Sequence, residues 1–265
     1  MRMVRKQQGL AVVTGASSGI GYELARVCAQ EGFELLVVAD EPHIEAAADS
    51  IRSGCDVPVQ ALQADLATEE GVERLVAAIG GRPVAALLAN AGRGLGDAFL
   101  DQTWHEIRQV VDTNVTGTLY LIHRVAQDMR AHGSGRILIT GSIAGFIPGA
   151  YHAVYNASKA FLDSFSFALR AELKESGVTV TCLMPGATET DFFERADMAD
   201  TKVAQSAKAD AASVARTGFD AMMAGDGDVV SGWMNKLRAA IANVTPAAVL
   251  ARMHAGQARP QSGRK

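Results

Sequence analysis

The amino-acid sequence predicts an α/β protein, a single-domain Rossmann-type doubly wound parallel sheet of about seven strands with helices on both faces. Three observations predict it. Short apolar runs alternate with longer segments of helical periodicity along most of the chain. The turns between them are short and rich in glycine, as expected of right-handed crossovers joining parallel strands. The composition, 48% hydrophobic but 6% aromatic with 26 glycines in 265 residues, suits close packing of helices on a sheet around one sizeable core. No linker or internal repeat divides the chain. Residues 9–255 are therefore expected to form one domain, and 256–265, "GQARPQSGRK", a flexible basic tail.

"LAVVT" (10–14) reads as a buried first strand, and the turn "GASSGIG" leads into a helix, "YELARVCAQEG", that ends at Gly32. "LLVVA" (35–39) is the second strand. A helix from Pro42 to Gly54 precedes a third strand that ends near Asp65. "TEEGVERLVAAIG" is helical again, and "VAALLA" (84–89) is the fourth strand, closed by the loop "NAGRG". A long helical region at 101–131 leads to strand five, "RILITG", and a helix over 153–176 to strand six, "VTVTCLMPG". Residues 187–210 are polar and helix-like without a core strand. They suit either a mobile flap over a site or a surface excursion. "DVVSG" is the last strand, followed by terminal helices at "WMNKLRAAIANV" and "PAAVLARMH".

The formal net charge of -4 offers no basic surplus to displace phosphate counterions, which argues against a nucleic-acid partner. Cys28, Cys55 and Cys182 stand far apart without metal-ligand spacing, so reduced thiols and no metal are expected. The basic start "MRMVRKQQG" is followed by too short an apolar run for a signal peptide, and no stretch reaches the roughly 20 apolar residues of a membrane span. A cytoplasmic protein without a membrane partner is the expectation.

A turn between a first strand and a helix exposes backbone N–H groups to a pyrophosphate. Gly15, Gly19 and Gly21 in "TGASSGIG" have the small size that this approach and a close helix–strand contact need. Asp40, 19 positions beyond Gly21 at the end of strand two, has the chemistry to accept hydrogen bonds from ribose hydroxyls and to repel a 2'-phosphate. Asp65, with Leu66 beside it, belongs near the adenine edge, or else Asp65 caps the next helix. Asn90, Ala91 and Gly92 close strand four at the same crevice, where the Asn90 amide has the alternative duty of tying strands together.

Tyr155 and Lys159 in "YHAVYNASK" are one helical turn apart and share a face. An ammonium beside a phenol favours the phenolate and lowers its pKa from about 10, which makes Tyr155 the candidate acid in carbonyl reduction and base in alcohol oxidation. Ser142, after strand five, is placed to hydrogen-bond the substrate oxygen. Asn114 in "DTNVTG" either holds a proton-relaying water toward Lys159 or bonds to backbone. Tyr151 serves as a substrate-pocket wall or packs, and His152 receives no role.

This combination resembles the short-chain dehydrogenase/reductase family from about residue 9 to residue 190. "TGASSGIG", including Ser17, Ser18 and Ile20, is similar to the family's cofactor fingerprint, "NAG" to its strand-four motif, and Asn114, Ser142, Tyr155 and Lys159 to its catalytic tetrad. The resemblance implies that Lys159 also holds the nicotinamide ribose and that Asn114 supports the relay. It implies that Pro185, Gly186 and Thr188 flank the nicotinamide and that Thr190 binds its carboxamide. Departures are Ala89 and Thr188, where the family commonly has Asn and an apolar branched residue, and Asp40, one place beyond the usual acid of NAD users. With no cation at Ser17, Ser18 or Asp40, NAD is favoured and NADP is the alternative. The expected activity is hydride transfer between nicotinamide and a ketone or secondary alcohol of an apolar small molecule. A nucleotide-binding structural or regulatory protein without turnover is the competing reading. The resemblance implies a homo-oligomer, dimer or tetramer, through the helices near 101–131 and 153–176.

Overall fold

Apolar runs become strands because helices pack against both faces of the sheet, whose two edge strands are partly exposed. The computed structural model describes residues 8–263, less the side chains of Arg238 and Asn243. The strands are β1 (Leu10–Thr14), β2 (Glu34–Ala39), β3 (Val59–Gln63), β4 (Val84–Ala89), β5 (Gly135–Thr140), β6 (Val178–Met184) and β7 (Asp228–Val230). They form one parallel sheet in the order β3-β2-β1-β4-β5-β6-β7. The order reverses between β1 and β4, and the crevice at their carboxyl ends is where this architecture takes ligands.

The helices are α1 (Gly19–Gln30), α2 (Ile44–Ser53), α3 (Glu69–Ile79), α4 (Trp104–Val111), α5 (Thr118–His132), α6 (Ala153–Glu172), α7 (Phe192–Arg195), α8 (Lys202–Gln205), α9 (Ala211–Ala224), α10 (Trp233–Val244) and α11 (Ala247–Ala258). Ala11, Val13, Leu35 and Val37 point to one face, where Leu24 and Cys28 of α1 and Val214, Phe219 and Met222 of α9 cover them. Leu10, Val12, Leu36 and Val38 point to the other, against Leu75 of α3, Leu121 and Val125 of α5, and Leu162 of α6. The period-two alternation of a strand and two sets of helical stripes thus build two cores on one sheet. Among the described residues no helix is long and apolar enough to cross a membrane, and no group of His, Cys, Asp or Glu is arranged to hold a metal ion.

Several elements differ from the sequence expectation. The helical region at 101–131 starts at a capping box, with Thr103 Oγ1 accepting from the Glu106 N–H and Glu106 accepting from the Thr103 N–H. It then widens into a π-turn over Asp112–Gly117 between α4 and α5. β3 stops at Gln63, because Asp65 turns its carboxylate onto the Ala67 N–H (3.0 Å). α9 was not expected at all, although Asp210 caps it through Ser213 and Gly225 ends it at φ 77°. The residues after strand six form two single-turn helices, α7 and α8. The segment expected as a frayed tail is seated against them: Ala258 is buried and the Gly263 N–H donates to the Asp200 carbonyl (2.8 Å). Residues 1–7, 264 and 265 lie outside the described residues.

Candidate active site

The glycine-rich turn owes its shape first to its own packing. A Cβ on Gly21 would lie 2.0 Å from the Gly15 carbonyl oxygen, and one on Gly15 would lie 2.9 Å from Ala91 Cα. Gly15 and Gly19 also have positive φ, 64° and 56°, which favours glycine. α1 begins at Ser18 with no side-chain cap and no acidic residue in its first turn. A helix start left open in this way fits an anionic pyrophosphate. Ile20 is half-buried behind it.

Asn90 holds the strand ends together. Its Nδ2 donates to the Thr14 carbonyl (3.1 Å), its Oδ1 accepts from Thr140 Oγ1 (3.1 Å), and the Asn90 and Ala91 N–H groups both donate to Thr14 Oγ1 (3.0 Å). The strand-tying duty is therefore realised. Gly92 lies over the Asn114 and Lys159 side chains, since a Cβ there would come 3.3 Å from Asn114 Oδ1 and 3.5 Å from Lys159 Nζ. Thr68, rather than Asp65, caps α3, while Asp65 is exposed and Leu66 is buried.

Around the carboxyl end of β2 stand two cations that the sequence reading missed. Arg93 pairs with the exposed Asp40. Arg195 of α7 reaches Glu41 (3.3 Å) and donates to Ser18 Oγ (3.2 Å), and Ser17 Oγ donates to Glu41 (2.6 Å). Glu41, the second acid of "DEP", was legible as a neighbour of Asp40. Arg195 was not, because 177 residues separate it from Ser18 and no spacing signals the contact.

Ser142, Tyr155 and Lys159 come together from the end of β5 and the first turns of α6. Lys159 is buried, donates to the Thr140 carbonyl (2.7 Å) and places Nζ 5.8 Å from the centre of the Tyr155 ring. The expected lowering of the Tyr155 pKa is not what this environment produces. Burial pushes the phenol up to about 12, a hydrogen bond with Ser142 opposes that, and Asp163 adds to it. Burial likewise pushes Lys159 down to about 8, against the pull of Asp163.

Asp163 lies beneath this group. Its Oδ1 accepts from the Ser142 N–H (3.2 Å), its Oδ2 has no hydrogen-bond partner, and burial raises its pKa to about 6. One turn beyond Lys159 and two beyond Tyr155 on α6, it was readable from the same spacing. Asn114, fully buried in the π-turn, accepts from the Arg93 N–H (2.7 Å) and donates to the Arg93 carbonyl (2.9 Å) and Ser158 Oγ (2.9 Å). Its amide is thus engaged with backbone and a hydroxyl.

His152, to which the sequence assigned nothing, stacks on Tyr155 with ring centres 4.4 Å apart. It is buried, its Nε2 has no hydrogen-bond partner, and desolvation pushes it down to about 3, so the ring is neutral. Phe192 packs on Tyr155 at 5.0 Å and meets His152 edge-on at 6.2 Å, so the three rings form one cluster. Tyr151 is held at φ 64° before α6, with its hydroxyl accepting from Arg259 (3.1 Å).

The residues after β6 meet both ends of the site. The Pro185 carbonyl accepts from the Ile143 N–H (3.1 Å) and from Ser142 Oγ (3.4 Å). Gly186 is tight against Asn235, and Thr188 donates to the Gly186 carbonyl (3.0 Å). Thr190 abuts Gly19, where a Cβ would stand 2.8 Å from its methyl group. The segment that carries α7 and α8 therefore covers the crevice from the glycine turn to Tyr155.

Comparison with known proteins adds three findings. The family model described as short chain dehydrogenase matches residues 9–201. Among curated proteins, a very-long-chain 3-oxoacyl-CoA reductase of Podospora anserina is 38% identical over 186 residues, 68% of this chain and 55% of that relative, so the chain spans about half that protein's length. A sulfoacetaldehyde reductase of Chromohalobacter salexigens is 36% identical over 188 residues, 68% of this chain and 72% of that relative. Among solved structures, a short-chain dehydrogenase from Sphingobium yanoikuyae in complex with NADPH superposes with a TM-score of 0.79 at 27% identity, covering 91% of this chain and 97% of the other.

Proposed function

The chain is a member of the short-chain dehydrogenase family and an NAD(P)-dependent oxidoreductase, and from that premise we propose that Tyr155 is the acid/base of reversible hydride transfer at a ketone or secondary alcohol. The observation that carries this reading is the meeting of Ser142, Tyr155 and Lys159 at the carboxyl end of β5, beside the open start of α1. The nicotinamide cofactor supplies the hydride in reduction and takes it in oxidation. Ser142 Oγ orients the substrate oxygen, and the Tyr155 hydroxyl gives its proton to that oxygen as the carbonyl becomes an alcohol. Lys159, with ammonium hydrogens beyond the one on Thr140, holds the ribose and restores the phenol proton. The Asn114 amide is engaged elsewhere, so a relay through this position uses the backbone of the π-turn.

Gly15, Ser17, Ser18, Gly19, Ile20 and Gly21 would hold the pyrophosphate. Asp65 and Leu66 would border adenine, Asn90, Ala91 and Gly92 the nicotinamide ribose, and Pro185, Gly186, Thr188 and Thr190 the nicotinamide. Asp40 and Glu41 would face the adenosine ribose, and NAD is proposed over NADP because these carboxylates would repel a 2'-phosphate and already engage Arg93 and Arg195, two nearby cations. Phe192, His152 and Tyr151 form an apolar wall with one free ring nitrogen, which suits a mainly apolar ketone. An apolar groove of about 470 Å³ lined by Phe99, Ile107, Val111, Val154 and Phe161 is the proposed subunit contact of a dimer or tetramer.

The test is absorbance at 340 nm with either reduced nicotinamide and a panel of ketones. Tyr155→Phe is expected to lower kcat by about 100-fold or more while cofactor binding persists. Full turnover in that variant would sink the mechanism. A lower KM for NADPH than for NADH would overturn the cofactor preference.

A further inference from the structure

Helix α10 is packed inside out. Among its described side chains the buried ones are Ala239 and Ala242, beside Asn235, whose Nδ2 donates to the Ser231 carbonyl (2.7 Å). Its large apolar side chains face outward: Trp233 is 74% exposed, Leu237 48%, Ile241 52% and Val244 82%. Positions 233, 237, 241 and 244 fall on one stripe at helical spacing, broadened by the exposed Met234. Val249 and Met253 of α11, also exposed and one turn apart, extend the apolar surface. An ordinary surface helix has the opposite arrangement.

Charge says what this stripe is suited to meet. From Val229 to the end the chain contains none of its 29 acidic residues and six of its 25 basic ones: Lys236, Arg238, Arg252, Arg259, Arg264 and Lys265. The rest of the chain is strongly acidic. Lys236 and Arg252 are exposed on the same two helices as the stripe.

We propose that the α10–α11 hairpin lies on an anionic phospholipid surface, with the Trp233–Val244 stripe entering the boundary between headgroups and acyl chains and Lys236 and Arg252 meeting phosphates. Two 12-residue helices of about 18 Å each do not span the roughly 30 Å of a bilayer core. The sequence expectation of no membrane partner rested on the lack of a span, and this contact needs none. A second copy of the chain fits less well. A symmetric contact of stripe on stripe would bring two acid-free basic segments together, cation against cation.

The experiment is cosedimentation of the full chain with vesicles of phosphatidylcholine alone and with vesicles containing about a quarter phosphatidylglycerol. At low salt the anionic vesicles are expected to bind at least about tenfold more protein, and the excess to fall as salt rises. Leu237→Glu with Ile241→Glu should abolish binding. Lys236→Glu with Arg252→Glu leaves the apolar stripe intact and should weaken binding to the anionic vesicles several-fold. Circular dichroism of both double variants confirms their fold. Equal or negligible sedimentation of the parent chain with both vesicles overturns the proposal. So does a lipid-free assembly, seen by light scattering, that Leu237→Glu with Ile241→Glu takes apart, since the stripe would then be a subunit contact. Neither readout depends on turnover.

Discussion

At the residue scale, the decisive pair is Tyr155 and Lys159, whose spacing was legible but whose protonation was not. Spacing places an ammonium near a phenol, and only the fold shows how deeply both are buried. With Tyr155 pushed up to about 12, the phenol keeps its proton at neutral pH and is ready to donate it to a carbonyl. With Lys159 pushed down to about 8, it is the ammonium that is lost first as pH rises. The value of kcat/KM for reduction, measured by varying cofactor so that it reports the free protein, should be level below about pH 8 and fall above it. Asp163→Asn keeps an acceptor for the Ser142 N–H but removes the negative charge that raises Lys159, so the falling limb should move to lower pH. A limb that stays in place, or moves upward, would contradict that role for Asp163. His152 shows the converse limit of sequence reading. It precedes Tyr155 by almost one turn, yet nothing in its type says whether it faces solvent or stacks on the phenol.

At the element scale, strands were the most legible parts, because both-face burial writes them as continuous apolar runs. α9 was missed although Val214, Gly218, Phe219 and Met222 recur at helical spacing on its buried face, because the small Ala215, Gly218 and Ala221 among them dilute the apolar signal. A Cβ on Gly218 would come 2.7 Å from Leu183 of β6, so smallness is what allows that helix to lie so close. The π-turn was illegible for a different reason. Helical periodicity continues through it, and the cause of its position is a contact far away in sequence. A Cβ on Gly117 would stand 1.8 Å from the Leu66 carbonyl oxygen, a backbone atom with little room to yield. Gly117→Ala is therefore expected to cost about 1–3 kcal/mol in urea unfolding and, by shifting Asn114, to lower kcat as well. A variant with parent-like stability would show that the turn and the β3–α3 connection are looser than this packing implies.

At the scale of the whole molecule, stability should carry a pH signature from two buried groups of opposite sense. His152 is depressed from 6.5 to about 3 on folding, so its contribution is fully present above pH 6.5 and is lost as pH falls toward 3. His254, also lowered by burial, acts in the same direction. Asp163 is raised from 3.8 to about 6, so its contribution is present below 3.8 and is lost as pH rises through about 6. Between those limits the two oppose each other. His152→Asn should flatten the loss of Tm on acidification from pH 6.5 to 4, whereas an unchanged slope would place the acid-labile group elsewhere. A parallel sheet with helices on both faces followed from the alternation of elements together with the handedness of parallel crossovers, whereas the order β3-β2-β1-β4-β5-β6-β7 comes from the fold. Residues 187–210 were legible as a flap or a surface excursion, but the contacts of Arg195 and Thr190 with the glycine turn were not, because they form only after the chain has passed through six strands. That turn has a consequence for how descent is traced. At Gly15 and Gly21 a side chain would strike protein whether or not a ligand is bound. A descendant that had abandoned chemistry and lost its nucleotide would still be compelled to keep both, so their persistence marks shared ancestry, while Ser142, Tyr155 and Lys159 are the positions free to decay.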